Sequence, residues 1–197
     1  MKVEMIAITP NAEVVIEQCG RVCYQSKLGN PSIIKAWIKA THESVLEHAS
    51  ATFIVSEISR ACSHQLVRAR IASFSQQSQR YVKEKQFGYV IPETIQSHDR
   101  LHREYQDLMS AIQAFYDDAV EQGVTKEDAR MVLPNACHTE IAITMNMREF
   151  RHTIGLRCDK HSQWEIRQLF GNILMQLNKE CPNVFFDLAE RYLEIPK

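Results

Sequence analysis

Residues 97–122 carry the strongest periodicity in the chain. Leu101, Tyr105, Leu108, Ile112, Phe115, Ala119 and Val120 recur there at three- and four-residue intervals, which places them along one face of an α-helix. Gly123 follows as its terminator. An apolar stripe of that length must be covered by other elements. Residues 2–9 alternate, with Val3, Met5 and Ala7 on one face and Glu4 on the other, as in a half-buried strand. Residues 51–55 read as a buried strand, and 138–145 as another that alternates around Glu140, Ile141, Ala142, Ile143 and Thr144.

Helices fill most of the rest. Asn11 is placed to cap one that runs to about residue 24, with Val14, Val15, Ile16 and Cys19 inward. After the Gly29-Asn30-Pro31 turn, Ser32 opens a second through Ile33, Ile34, Trp37 and Ile38. A short helix from Lys126 stops at Pro134, and another covers 148–156. A last long helix begins near Ser162 and is broken by Pro182, before an amphipathic piece at 184–192. Residues 83–92 are irregular, with Phe87, Tyr89, Val90 and Ile91 as a short strand or packed loop. No repeat or linker divides residues 1–197. The pattern predicts one α+β domain, with a small mixed or antiparallel sheet surrounded by helices and one long central helix.

At 197 residues the chain can bury roughly 70% of the surface its unfolded form exposes. The formal net charge of −1 argues against a general polyanion binder, so any anion site must come from arginines clustered locally. Six cysteines have neither metal nor disulfide spacing and read as reduced thiols. The start, MKVEMIAITP, is too short and too acidic for a signal peptide, and no apolar run reaches membrane-spanning length. These features predict a cytoplasmic protein with no membrane or nucleic-acid partner.

Three segments carry the chemistry. Residues 62–81, CSHQLVRARIASFSQQSQRY, begin as a helix and lose the apolar period at Ser73, Ser75, Gln76, Gln77, Ser78 and Gln79. We expect a polar loop along which Arg68, Arg70 and Arg80 are strung. Such a loop can surround a phosphate while its hydroxyls and amides read the edge of a heterocycle; a solvated basic loop has the same composition. In the second, residues 42–48, His42 and His48 stand six apart among carboxylates, a spacing that suits neither a helical nor a strand face. Metal ligands, a catalytic pair and a packed polar turn all remain open for it. In the third, residues 146–166, Arg148, Arg151 and Arg157 follow at helical spacing with His152 four beyond Arg148, giving the helix a basic edge. His98 and His102, four apart without a third ligand, read as surface histidines.

Together the segments resemble the flavin-dependent thymidylate synthases, a family marked by Arg-His-Arg, seven residues, Ser, and then Arg-Tyr. Arg68, Arg70, Ser78, Arg80 and Tyr81 fall on those places, with Ala69 where the family usually has His. Residues 42–48 resemble the family's His-Glu-(Ser/Thr)-x-x-Glu-His block, and 161–166 its His-x-Gln-Trp-Glu-Ile block. The resemblance implies FAD held by His42, Ser44, Glu47, Arg68, Arg70, Ile71, Asn146, Arg148 and His152. It implies dUMP as substrate, surrounded by Gln65, Arg68, Gln76, Ser78, Arg80, Arg130 and Arg157. Gln76 stands where many members carry Glu, and Cys23 where some carry a flavin-contacting Ser. His161 falls in the region of folate or nicotinamide.

The implied reaction passes a methylene from methylenetetrahydrofolate to dUMP and a hydride from FAD that NADPH has reduced. The implied assembly is a homotetramer with sites shared between subunits. Arg157 and Ser78 would be the residues at the reacting ring, Arg157 polarising it. Ser78, with no neighbouring base, reads as a hydrogen-bond donor rather than a nucleophile. No metal is implied. Cys137-His138 faintly resembles the nucleophile of the flavin-free thymidylate synthase, but it opens an apolar strand and reads as a buried thiol. A rival from another class is a non-catalytic nucleotide or single-stranded RNA binding protein. That role calls for aromatics interleaved with the arginines, and only Phe74 and Tyr81 are there.

Overall fold

The computed structural model describes residues 1–82 and 86–193. Strands β1 (Lys2–Ile8), β2 (Ser50–Ser59), β3 (Ala72–Gln76) and β4 (His138–Asn146) form an antiparallel sheet in the order β1-β2-β4-β3. The central pair sorts its side chains by strand alternation. Ala51, Phe53 and Val55 of β2 and Ile141, Ile143 and Met145 of β4 are at most 2% exposed. The other face is more polar, with the hydroxyls of Thr52 and Thr144 opposed at 2.9 Å.

The helices are α1 (Ala12–Tyr24), α2 (Ile33–Lys39), α3 (Arg60–Leu66), α4 (Glu93–Gln96), α5 (Asp99–Glu121), α6 (Lys126–Ala129), α7 (Met147–Arg157), α8 (Trp164–Glu180) and α9 (Pro182–Tyr192). A 3-10 turn, Glu43–His48, leads into β2. Ile166, Leu169, Phe170, Ile173, Leu174 and Leu177 recur along α8 as one apolar face and join the sheet's buried residues in the main core. Phe150 of α7 meets Phe53 edge-on with ring centres 5.5 Å apart. Each fully buried side chain of this size contributes about 1.5–3 kcal/mol.

The α+β architecture follows the sequence pattern, and several details depart from it. Residues 72–76 are not loop but the edge strand β3: Ala72, Phe74 and Gln76 turn inward while Ser73 and Ser75 face out. A sheet edge tolerates that polar row, which also discourages further pairing. Along β1 the inward set is Val3, Met5 and Ile8 rather than Ala7, because a register shift between Met5 and Ala7 slips the alternation by one residue. Asn11 does not cap α1 with its side chain. It lies in the left-handed region (φ 51°), and its carbonyl accepts the Val14 and Val15 N–H groups.

On α1 the buried positions are Ala12, Ile16, Glu17 and Gly20, and Val14 is exposed. A Cβ at Gly20 would collide with the Trp37 ring, so only glycine lets α2 pack this closely. Helix α5 has the predicted length but flanks the domain beside α4, α6 and the 3-10 turn Arg130–Val132. Met109 and Tyr116 are its buried side chains, while Leu101, Leu108 and Phe115 stay exposed. Pro182 ends one helix and opens the next as its first residue, where a missing N–H is harmless. Tyr89 bridges to Cys137, and the Val90 N–H donates to the Ala136 carbonyl, so that part of the irregular segment is packed loop. Residues 83–85 of the same expectation lie outside the described residues.

Candidate functional site

Helix α7 springs directly from the end of β4. Asn146 belongs to the strand and also caps the helix, its Oδ1 accepting the Glu149 N–H at 2.8 Å. Met147, Phe150 and Ile154 bury one side of α7 in the core. The opposite side faces the turn that follows α3, residues 67–71. Two adjoining cavities lie along it. One, of about 300 Å³, is lined by Arg68, Arg70, Arg157 and Leu156 together with Ile71, Glu149 and His152. The other, of about 430 Å³, adds Asn146, Arg148, Glu43 and Glu47 to those last three residues. They form one groove between two segments that are far apart in sequence.

Charge along the groove is uneven. Arg148 is paired with Glu47 across 2.5 Å, which ties the 3-10 turn to α7. Arg157 donates to the Gln65 carbonyl at 2.9 Å, and that bond aims its guanidinium from the end of α3. Among the described residues, Arg68, Arg70 and Arg157 have no carboxylate within 4 Å. Such guanidinium groups are open to phosphate or carbonyl oxygens. Ile71, 66% exposed, lines both cavities and gives the groove an apolar floor. Cations flanking an apolar platform suit a planar ring that carries phosphates, and the groove fits a flavin nucleotide on that ground.

Other predicted residues lie elsewhere. His42 and Ser44 are exposed at the start of the 3-10 turn and do not line either cavity. Gln76 donates both amide hydrogens inward, to Ser63 Oγ at 2.9 Å and Thr139 Oγ1 at 3.0 Å. The Ser78 hydroxyl accepts the Arg80 N–H at 3.3 Å. Arg80 pairs with Glu127 at 3.0 Å, and Arg130 donates to the Glu127 carbonyl at 3.3 Å. Arg80 and Arg130, both expected at the substrate, are therefore gathered at α6, outside the groove. His161 is exposed, its ring 2.7 Å from Asp159. The His161 N–H and ring together hold the Asp159 carboxyl below the usual aspartate range.

Arg151 overturns the expected continuous basic edge. At 100° per residue it falls roughly 60° to the far side of Arg148 from His152, and it points into the protein. It is 7% exposed and grips Asp187 with two bonds of 2.7 and 2.8 Å, with Glu43 3.7 Å away. Within the 161–166 block, Gln163 caps α8 by accepting the Glu165 and Ile166 N–H groups. Glu165 accepts the Ser59 N–H at 2.7 Å and its hydroxyl at 2.5 Å, and Ser59 in turn caps α3. Cys62 sits beside this knot; burial, reinforced by the Glu165 charge and opposed by Arg157, pushes its thiol up to about 12. Cys137 is fully buried, as the reading against a nucleophile requires. Among the described residues no cluster of three or more His, Cys, Asp or Glu could hold a metal.

Sequence reasoning missed Glu149 and Thr153, which line the groove. The signal was present but masked, because Asn146-x-x-Glu149 is the spacing of an ordinary helix cap.

The sequence matches the family described as Thymidylate synthase complementing protein over residues 4–183. A flavin-dependent thymidylate synthase of Geobacter sulfurreducens is 42% identical, over 100% of this chain and 90% of its own length. One from Clostridium tetani is 37% identical, covering 94% of this chain and 85% of the relative. Another, from Thermococcus onnurineus, is 44% identical over 70% of this chain and 58% of its own. With the family match spanning nearly the whole chain, the protein belongs to the thymidylate synthase complementing protein family, that of the flavin-dependent thymidylate synthases.

Proposed function

We propose that this chain, acting as one domain over residues 1–197, methylates dUMP to dTMP. The observation that carries the reading is the groove itself, where three guanidinium groups without carboxylate partners meet an exposed Ile71. The chemistry that bound FAD supplies is hydride donation after reduction by NADPH, with methylenetetrahydrofolate as the carbon source. In this reading Asn146, Arg148 and His152 hold the dinucleotide, with Glu47 fixing Arg148. Arg68 faces both ligands and Arg70 the flavin, from the opposite wall.

Arg157 binds the pyrimidine and stabilises negative charge developing on its ring oxygens. The Gln65 carbonyl orients that guanidinium before the ligand arrives, so little reorganisation is needed. Ser78, Arg80 and Arg130 bind the nucleotide from the α6 side, with Gln76 offering its remaining amide oxygen. Because these residues do not line the groove of their own chain, the reading includes a homotetramer in which one subunit's loop completes another's site. His161 is assigned to the folate or nicotinamide region, and His42 and Ser44 to the flavin's edge. All six cysteines are free thiols, which supports a place in the cytoplasm; no helix among the described residues is long and apolar enough to cross a membrane.

The absorption spectrum tests the proposal. Purified protein should be yellow or take up added FAD, bleach with NADPH, and release dTMP only when dUMP and methylenetetrahydrofolate are both present. A protein unable to bind FAD, yet binding nucleotides or single-stranded RNA, would instead be a non-catalytic binder.

A further inference from the structure

Three glutamates are buried among the described residues, and two of them are saturated. Glu17 accepts the Arg21 guanidinium and the Gly29 N–H, and Glu165 accepts both donors of Ser59. Glu149 is different. It is 8% exposed, and among the described residues its carboxylate has no cation within 4 Å and one bonded partner, the Thr153 hydroxyl at a long 3.5 Å. Nor does it close the helix cap that its spacing suggests, since its carboxylate does not return to the Asn146 N–H. Its second oxygen, left without a partner among the described residues, opens on the groove and can take a donor from outside the chain.

Its position says which kind of donor. Glu149, Ile71 and His152 are the residues shared by the two cavities, so the carboxylate stands at the middle of the groove. On one side are Arg68, Arg70 and Arg157; on the other is Arg148, paired with Glu47 and with Glu43 in the same cavity. A phosphate at the centre would be attracted by the arginines and repelled by Glu149. A ring edge with one N–H between two carbonyls meets an acceptor flanked by donors, and nothing is left unpaired. The geometry points to Glu149 as a specificity-determining residue that accepts the imide N–H of the planar ring seated over Ile71. His152 and the arginines take the flanking carbonyl oxygens. This rests on the function proposed above, in which two ligands carry an imide: the flavin and the uracil of dUMP.

The test compares each ligand with its N3-methyl analogue, which keeps the carbonyls and loses the N–H. Dissociation constants for FAD, N3-methyl-FAD, dUMP and N3-methyl-dUMP are measured by calorimetry on wild type, Glu149→Ala and Glu149→Gln. In wild type, methylation weakens one of the two ligands by about tenfold or more, the scale of a lost bond to a charged acceptor. The ligand affected identifies the source of the imide. In Glu149→Ala the penalty disappears, and in the isosteric Glu149→Gln, which preserves the helix, it shrinks. An equal penalty in wild type and both variants, or none in wild type for either ligand, overturns the assignment. Wild-type protein that binds neither FAD nor dUMP overturns the underlying function, and the assignment with it.

Discussion

In a Glu165→Ala variant the Ser59 N–H and hydroxyl lose the oxygens that accept them at 2.7 and 2.5 Å. Both residues are buried, so water does not substitute. Two hydrogen bonds to a charged acceptor are together worth about 3–6 kcal/mol. Relief of the carboxylate's own burial offsets part of this and leaves a net loss of about 3 kcal/mol. For a protein of this size that corresponds to a fall in Tm of about 6–12 °C. Helix α3 stays capped, because the Ser59 hydroxyl still accepts the Cys62 N–H; what is lost is the docking of α8 onto the β2–α3 junction. Glu165→Gln keeps one acceptor oxygen and loses only about 1–2 kcal/mol. The assay is thermal and urea unfolding of the apo protein followed by circular dichroism, with Ser59→Ala completing a double-mutant cycle. A Glu165→Ala variant that melts with wild type, or costs that add fully across the cycle, would refute the reasoning, because partners in one buried network couple.

Arg157→Ala should abolish dUMP binding in calorimetry while FAD still binds, and turnover that survives the change would remove Arg157 from the site. Burial alone would raise the Asp187 carboxyl, but the hydrogen bond and charge of Arg151 outweigh it and leave the folded value below the ordinary 3.8. The pair therefore stabilises the fold above that ordinary value and loses its effect as pH falls through the lower folded one. Wild type should lose more stability than Asp187→Asn as pH falls below about 4, and parallel acid-unfolding curves would contradict the ion pair. Burial pushes the Cys62 and Cys181 thiols up to about 12 and that of Cys158 to about 11. Ellman's reagent at pH 8 should then titrate exposed Cys23 quickly and these three only after unfolding. Gly20→Ala forces a methyl into the Trp37 ring and should cost about 1–3 kcal/mol in urea unfolding.

Not every periodic stretch read true: α5 forms as its stripe predicts but leaves Leu101, Leu108 and Phe115 exposed, and the other failures have local causes. The apolar recurrence in α8 and the alternation in β4 leave one choice of buried face each, and the structure adopts it. The alternation at 72–76 was hidden because its outer residues are serines, which look like loop until a neighbouring strand is in place. The bulge in β1 depends on pairing with β2, which a single strand does not announce. In the groove, Arg68, Arg70, Ile71, His152 and Arg157 were legible through the motif, and so were Asn146 and Arg148. Arg151 misled because a cation three residues from another looks like one face, while Asp187, 36 positions away, draws it inward. Glu149 escaped because its role, in the assignment made above, depends on what its neighbours leave unpaired.

The two walls of the groove are anchored unequally. Helix α7 is pinned at its start by Asn146, along its inner side by Phe150 and Ile154, and at Arg151 by the grip on α9. Its amides should exchange with deuterium only when the whole domain opens. The opposite wall, residues 67–71, lies outside any helix or strand and has exposed side chains at four of its five positions. Adjustment to an incoming ligand therefore falls to that turn, with α7 serving as the fixed jaw.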